Sequence, residues 1–211
     1  MTIWGGVQWV PLNQIIMSLK TGLNPRKNFV LNTPESEGYY VTVRELMGVD
    51  IKFFDKTDRV NQDALNLINN RSNLEIGDIL FSGTGTIGKT ALVKEKPTNW
   101  NIKEGVYVIK PNQKMVDSKF LLFYLNSLQA IKEYEKKIVG SPVSSIPMSE
   151  LKKLIIPLPT MNEQKRIVSI LDNFEELTND ISIGLPAEIK ARRQQYEYYR
   201  DKLLTFKEYA K

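Results

Sequence analysis

The hydrophobic periodicity of the chain changes near Thr160, and this change constrains the fold more than any other feature of the sequence. From there to the end, mostly apolar side chains recur at steps of three and four residues, which is the seam of a heptad helix. The seam positions are Ile167, Ile170, Phe174, Leu177, Ile181, Leu185, Ile189, Arg192, Tyr196, Tyr199, Leu203 and Phe206. We therefore predict a helical spacer and dimerisation region over residues 159–211.

Two local features indicate where the helices of this region begin. Thr160-Met161-Asn162-Glu163 is a capping box, in which the Thr160 hydroxyl accepts from the Glu163 amide and the Glu163 carboxylate accepts from the Thr160 amide. Pro186 has no amide, so it either kinks one helix or lies in the first turn of a second. We favour two helices, at residues 160–182 and 186–208.

The second of these helices carries a stripe that suits a partner helix. We predict that a second chain packs on it through Leu185, Ile189, Arg192, Tyr196, Tyr199, Leu203 and Phe206, as an antiparallel coiled coil. The alternative is that the stripe packs on the chain's own domain.

Residues 1–158 have a different pattern, with short strands separated by turns. The predicted strands are at 39–43, 78–81, 91–93, 105–109 and 153–157, since these runs are rich in Val, Ile, Tyr and Phe and are bounded by Gly, Pro or Asn. Helical spacing predicts helices at 63–69 and 118–136. The fold class is therefore α+β, with a globular mixed domain at 1–158 followed by the helical region.

Histidine and cysteine are both absent from the 211 residues. Their absence excludes nucleophiles that depend on a histidine base, zinc sites built on Cys or His, thiol redox chemistry and disulfides. The longest apolar runs fall far short of the roughly 20 residues that a membrane span needs. With no pattern of a signal peptide at the start, we expect a soluble cytoplasmic protein without a membrane partner.

The net charge of +5 lies entirely in residues 1–160, since residues 161–211 are neutral. This division favours a polyanion, above all double-stranded DNA, as the partner of the first part, although such a charge is also within normal scatter. The candidate DNA contacts, chosen by residue type and loop position, are Arg26, Lys27, Arg44, Arg59, Arg71, Thr84, Thr86, Lys89, Lys94 and Ser141. For each of them a solvated surface residue is the alternative.

A glycine-rich segment at residues 83–90 fits two nucleotide-binding patterns. Gly83, four residues and then Gly88-Lys89-Thr90 form a P-loop pattern, and Gly83, Gly85 and Gly88 form a dinucleotide pattern. A P-loop must lead into a helix, whereas the residues that follow favour a strand. We expect a β-turn, whose small residues either serve the turn alone or let backbone amides, hydroxyls and Lys89 approach DNA.

Several runs of the sequence resemble type I restriction-modification specificity subunits. In the helical region they are Ile155-Ile156-Pro157-Leu158-Pro159, Glu163-Gln164-Lys165-Arg166-Ile167-Val168, Ile170-Leu171-Asp172, Leu185-Pro186-Ala187-Glu188-Ile189 and the run from Arg192 to Leu204. In the first part they are Gly77-Asp78-Ile79-Leu80-Phe81-Ser82, Gly85-Thr86-Ile87-Gly88, Gly140-Ser141 and Ser145-Ile146. The resemblance extends over essentially the whole chain.

The resemblance implies a non-catalytic subunit that recognises a DNA sequence. It implies partner subunits that methylate adenine N6 with S-adenosylmethionine, and a nuclease and translocase subunit that uses ATP and Mg²⁺. This chain would hold no cofactor. The usual subunit repeats the recognition domain and the helical region, and no second copy is found here, so we expect a half-length form that pairs with itself or with another half. A symmetric pair would recognise an interrupted palindrome.

Two other functions remain open at this point. One is a nucleotide-binding protein that uses residues 83–90 as a P-loop. The other is a non-catalytic interaction protein whose coiled coil is structural.

Overall fold

The computed structural model describes residues 7–26, 28–179 and 186–206. The strands are β1 Gln8–Pro11, β2 Ile16–Thr21, β3 Gly38–Val41, β4 Leu46–Met47, β5 Asp50–Ile51, β6 Arg59–Val60, β7 Ile79–Ser82, β8 Thr90–Leu92, β9 Trp100–Ile102, β10 Val106–Pro111 and β11 Ile155–Leu158. The helices are α1 Gln62–Ser72, α2 Ser118–Leu125, α3 Leu128–Glu135, α4 Met148–Leu151, α5 Met161–Asn179 and α6 Pro186–Leu204. The mixed α+β class predicted from the sequence is confirmed.

The central element is an antiparallel sheet with strand order β2-β10-β7-β8. Side chains of successive strand residues point to opposite faces, and both faces of this sheet are covered. On β7, Ile79 and Phe81 pack into the larger core, whereas Leu80 packs into a second core with Val106 and Val108 of β10. The two middle strands, β10 and β7, are therefore internal, whereas the edge strand β2 exposes Met17 to solvent.

A smaller sheet with order β6-β3-β9 lies beside the first, and its β3–β9 pair is parallel. Tyr40 of β3 and Val60 of β6 pack with Ala64 and Ile68 of α1, so one face of this sheet is covered by the helix. The N-terminus of α1 is capped by Asn61, whose side chain accepts from the Ala64 amide at 3.0 Å. The smaller sheet therefore widens the domain beside the central sheet.

Helix α5 is attached to the domain through Gln164, which is fully buried. The Gln164 Nε2 donates to the Pro159 carbonyl at 2.9 Å and to the Met115 carbonyl at 3.2 Å. Its Oε1 accepts from the Asp117 amide at 2.8 Å, just before α2 begins. Strand β1 also pairs with β11, the strand that leads into α5, and so ties the first described strand to the same junction.

The two predicted helices of the C-terminal region are confirmed, with Pro186 at the first position of α6. The Thr160 hydroxyl accepts from the Glu163 amide at 3.3 Å, as the capping box predicts. The other half of the box is not formed in the described residues, since the Glu163 carboxylate pairs with the Arg166 guanidinium. An ion pair one turn away therefore replaces the expected bond to the Thr160 amide.

The single helix predicted at 118–136 is wrong, because two helices, α2 and α3, occupy this segment. The Ser127 hydroxyl accepts from the Ala130 amide at 3.3 Å and so caps α3. The Asn126 side chain donates to the Thr90 hydroxyl at 2.8 Å. Both polar side chains stabilise the break, although the apolar spacing runs through it. Strands β1, β2, β4, β5, β6 and β9 were not predicted.

The stripe on α6 packs within the chain. Tyr199 stacks on Phe174 of α5, with ring centroids 5.4 Å apart, and Tyr196 and Leu203 pack against the larger core. Phe206 is 4% exposed and lies edge-on to Trp9 and Phe120. In the single chain these four side chains therefore pack on the chain's own domain, which was the alternative to a partner helix. Leu185 and the side chain of Ile189 lie outside the described residues.

The first half of α6 is different, since every described side chain before Tyr196 is exposed. Arg192, the seam position in this half, is 43% exposed and forms an ion pair with Glu188. A helix that is polar all round can be stabilised by ion pairs at i,i+4 spacing, and this half has two, Glu188–Arg192 and Arg193–Glu197. In the described residues, no helix is long and apolar enough to span a membrane.

We expect Phe206→Ala to lower the free energy of unfolding by about 3 to 5 kcal/mol, because the buried ring anchors the end of α6 between Trp9 and Phe120. Urea denaturation followed by circular dichroism measures this change. The control is Tyr198→Ala, which removes a ring on α6 that is 60% exposed and should cost less than about 1 kcal/mol. Equal stability of the two variants would contradict the described docking of α6.

Candidate nucleic-acid interface

Several loops leave the central sheet at the same end. The pairing places Thr21, Tyr107, Phe81 and Thr90 side by side across its four strands. Three connections extend beyond this row: residues 22–37 after β2, residues 83–89 between β7 and β8, and residues 103–105 before β10. A fourth segment, residues 138–146, is bonded to the second of these. We call these four segments the loop face.

The loop at 83–89 is closed by Ser82, whose side chain is buried. The Ser82 hydroxyl donates to the Thr86 carbonyl at 2.6 Å and accepts from the Lys89 amide at 2.8 Å. The Ser82 carbonyl accepts from the Gly88 amide at 3.0 Å. One buried serine therefore holds both sides of the loop together.

The segment 138–146 packs along this loop. The Gly85 amide donates to the Ser144 carbonyl at 2.8 Å, and the Ile146 amide donates to the Gly83 carbonyl at 2.9 Å. Beneath them the Tyr107 hydroxyl donates to the Ile146 carbonyl at 2.7 Å, and burial raises the pKa of this phenol. Ser141 is exposed on the same segment.

The loop face gathers five of the predicted DNA contacts. Thr84, Thr86 and Lys89 are exposed on the glycine-rich loop, Ser141 lies on the segment packed against it, and Arg26 is exposed on the connection after β2. Lys27, predicted beside Arg26, lies outside the described residues. The grouping was not evident from the sequence, in which these residues are up to 115 positions apart.

Arg44 and Arg59 lie beside the smaller sheet and share a network. The Arg44 guanidinium pairs with the Asp58 carboxylate at 2.9 Å, and the other oxygen of Asp58 accepts from the Asn32 amide group at 3.0 Å. The Asn32 side-chain oxygen in turn accepts from the Arg59 backbone amide at 2.7 Å. Because Arg44 follows the end of β3, it extends the loop face sideways.

The guanidinium of Arg59 forms one end of an aromatic strip, in which Phe53 is exposed and Tyr39 and Trp100 are half-buried. It lies 3.9 Å from the centre of the Tyr39 ring, which stacks on Phe53 at 4.4 Å. Phe53 in turn meets Trp100 at 6.1 Å. The register across β6, β3 and β9 explains the strip, since Arg59 and Trp100 are the two neighbours of Tyr39. Sequence reasoning missed these three aromatic rings.

Two predicted contacts lie away from this group. Lys94 follows β8 at the opposite end of the central sheet, where it forms an ion pair with Asp50. Arg71 is exposed on the last turn of α1. Both were predicted from residue type alone. The sequence did not indicate at which end of its strand or helix each residue would lie.

Lys103 is a cation of the loop face that the sequence analysis missed. It is exposed in the turn before β10, and its backbone amide donates to the Val41 carbonyl at the end of β3. The run Lys103-Glu104-Gly105, directly before a predicted strand, is a turn pattern that indicated an exposed lysine here. Lys103 therefore lies where the central sheet meets the smaller one.

The geometry does not suit nucleotide hydrolysis at residues 83–90. A P-loop requires a helix whose first amides hold the phosphates, but β8 begins at Thr90. The amides of Gly83, Gly85 and Gly88 are bonded to carbonyls of the protein. Across the described residues, no cluster of acidic side chains has the arrangement of a metal site. This agrees with the β-turn predicted from the sequence.

Comparison with known proteins gives the family. The family model described as the type I restriction modification DNA specificity domain matches residues 8–191. The specificity subunit of the Escherichia coli type I restriction enzyme EcoprrI is 35% identical over 138 residues, which cover 62% of this chain and 34% of the relative. That of E. coli EcoR124I/EcoR124II is 54% identical over 70 residues, covering 33% and 17%.

A solved structure has the same fold. The HsdS subunit from Thermoanaerobacter tengcongensis superposes with a TM-score of 0.58 at 17% identity, covering 84% of this chain and 44% of that one. The match thus covers less than half the length of each of these three relatives. Since the family model covers most of the sequence, the chain belongs to the family of type I restriction modification DNA specificity domains.

Proposed function

We propose that this chain recognises a DNA sequence for a type I restriction-modification complex and that the loop face contacts the duplex. The observation that carries the proposal is the convergence of Arg26, Thr84, Thr86, Lys89 and Ser141 at one end of the central sheet, in a chain whose family is defined by DNA specificity. Lys103 adds a further cation to the same surface. Hydroxyls and cations on loops are the groups that contact phosphates and base edges.

Two such units act together in this proposal. The chain spans 44% of the HsdS structure, so two copies, or one copy and another half, supply the two halves of a specificity subunit. The exposed first half of α6 is the surface on which a second unit packs, with Arg192 in the seam. Helix α6 has 19 residues and is about 28 Å long, which sets a gap of roughly one turn of B-DNA between half-sites.

The chemistry of the complex belongs to other subunits. Methyltransferase subunits supply S-adenosylmethionine and modify adenine, and a nuclease and translocase subunit supplies ATP and Mg²⁺. This chain would place them on the DNA without contributing a catalytic residue. Its role is to recognise a base sequence and so to determine where on the DNA its partner subunits bind.

We expect the protein to bind a random 30-bp duplex at low salt, with an affinity that falls steeply as salt rises. Replacing Arg26 and Lys103 by alanine should weaken binding and lower the salt slope by about 1.8, since two phosphate contacts are lost. Fluorescence anisotropy across a salt series measures both effects. Lys94→Ala, at the opposite end of the sheet, should change neither, and a larger effect of Lys94→Ala than of the double variant would contradict the loop face as the DNA surface.

We expect light scattering to give a mass of twice 24.3 kDa for the free protein. Arg192→Glu should convert this dimer to a monomer, because it reverses the charge of an exposed seam residue. Arg193→Glu, on the neighbouring residue that is 80% exposed and off the seam, should leave the dimer intact. If both variants remain dimeric, the interface is elsewhere.

Adenine methylation in the host should depend on this gene. Long-read sequencing with and without the gene should reveal one lost motif, and a symmetric pair predicts that this motif is an interrupted palindrome. An asymmetric interrupted motif would indicate pairing with a different half. A continuous motif would contradict the two-unit arrangement.

A further inference from the structure

We propose that the glycine-rich loop at residues 83–89 is a rigid clamp for the DNA phosphate backbone and does not distinguish bases. This inference rests on the proposed function. It assigns phosphate contact to this loop and leaves base recognition to the rest of the loop face.

The loop is held from within and from both sides. Ser82 closes it through four hydrogen bonds, and Ser144 and Ile146 bond to its first half through the backbone. The Thr84–Ser145 pair continues this contact as an isolated bridge. Its conformation is therefore determined by the folded domain and does not depend on bound DNA.

Two of its glycines leave no room for variation. A Cβ at Gly83 would lie 2.1 Å from the ring of Tyr107, and a Cβ at Gly88 would lie 2.2 Å from the Tyr134 hydroxyl. Both tyrosines are buried. A loop that distinguishes bases must offer different side chains to different sequences, whereas these two positions cannot accept a side chain without displacing the tyrosines beneath them.

The groups that the loop leaves free include a set of hydrogen-bond donors, alongside carbonyl oxygens such as those of Thr84 and Gly85. Among the described residues, the backbone amides of Thr84, Thr86 and Ile87 have no hydrogen-bond partner, and Lys89 forms no ion pair. Gly85 lies between these amides with φ of +75°, a conformation in which successive amides can converge on one anion.

These donors match a phosphate better than a base pair. A phosphate offers only acceptor oxygens and a negative charge, which suit three amides and an ammonium group. Base edges in the major groove present donors as well as acceptors, and their pattern differs between base pairs. Backbone amides are the same whatever the sequence of the loop, so they position the duplex without selecting it.

The test measures two properties of each variant, namely its affinity for DNA and the sequence motif that it selects. Wild-type protein selects duplexes from a random 30-bp pool, and anisotropy then measures binding to a selected duplex and to a scrambled one over a salt series. Lys89→Ala should weaken binding to both duplexes equally, by about threefold to tenfold, lower the salt slope by about 0.9 and select the same motif. Gly85→Ala should give the same uniform loss, since its φ disfavours a side chain although the added Cβ meets open space.

Lys94→Ala is the matched control, because this lysine lies at the opposite end of the sheet and should leave every measurement at the wild-type value. A changed motif, or a tenfold change in the ratio of the two affinities, in Lys89→Ala would show base recognition and overturn the inference. Wild-type affinity and salt slope in both loop variants would also overturn it while leaving the proposed function standing. If wild-type protein binds no duplex, the proposed function and this inference both fail.

Discussion

Burial of the central sheet on both faces is the constraint on which the rest of the structure depends. Alternate residues of β7 enter two separate cores, so neither face is available to a ligand. A layer covered on both sides can offer solvent only its ends and edges. The loops at the row of Thr21, Tyr107, Phe81 and Thr90 are consequently a part of this domain that a large partner can reach.

The glycine-rich loop illustrates how context decides the meaning of a motif. The same spacing of Gly83, Gly88 and Lys89 that begins a helix in P-loop proteins here connects two antiparallel strands. Its glycine amides bond to the protein, and the free amides are those of the residues between the glycines. The glycine pattern indicates that the backbone approaches another group closely. The helix or strand that follows the pattern determines which kind of group that is.

The features that were predicted correctly depend on local chemistry. The start of α5 at a threonine cap and the start of α6 at a proline are each determined within one turn of helix. The strands that contain Phe81 and Val108 are apolar and long enough for a strand pattern to be recognised in the sequence. The break at Asn126 and Ser127 was missed because it depends on Thr90, which is distant in sequence. Short strands such as β9 are defined by their neighbours and carry too few residues for a pattern.

The candidate site was predictable only in part, for a similar reason. Residue type and turn patterns found Thr84, Thr86, Lys89 and Ser141, because exposed small and charged residues on loops have a local signature. Pairing between distant segments places Arg44 against Asp58 and Lys94 against Asp50, and no local pattern predicts this. The aromatic strip from Arg59 to Trp100 is likewise a product of strand register.

The junction at Gln164 has a consequence for how such a domain can diversify. All three of its hydrogen bonds end on main-chain atoms, at Met115, Asp117 and Pro159. The junction therefore requires only the path of the backbone and is indifferent to which side chains those three positions carry. Loops at the far end of the sheet can therefore exchange their residues while the angle between the domain and helix α5 is inherited unchanged.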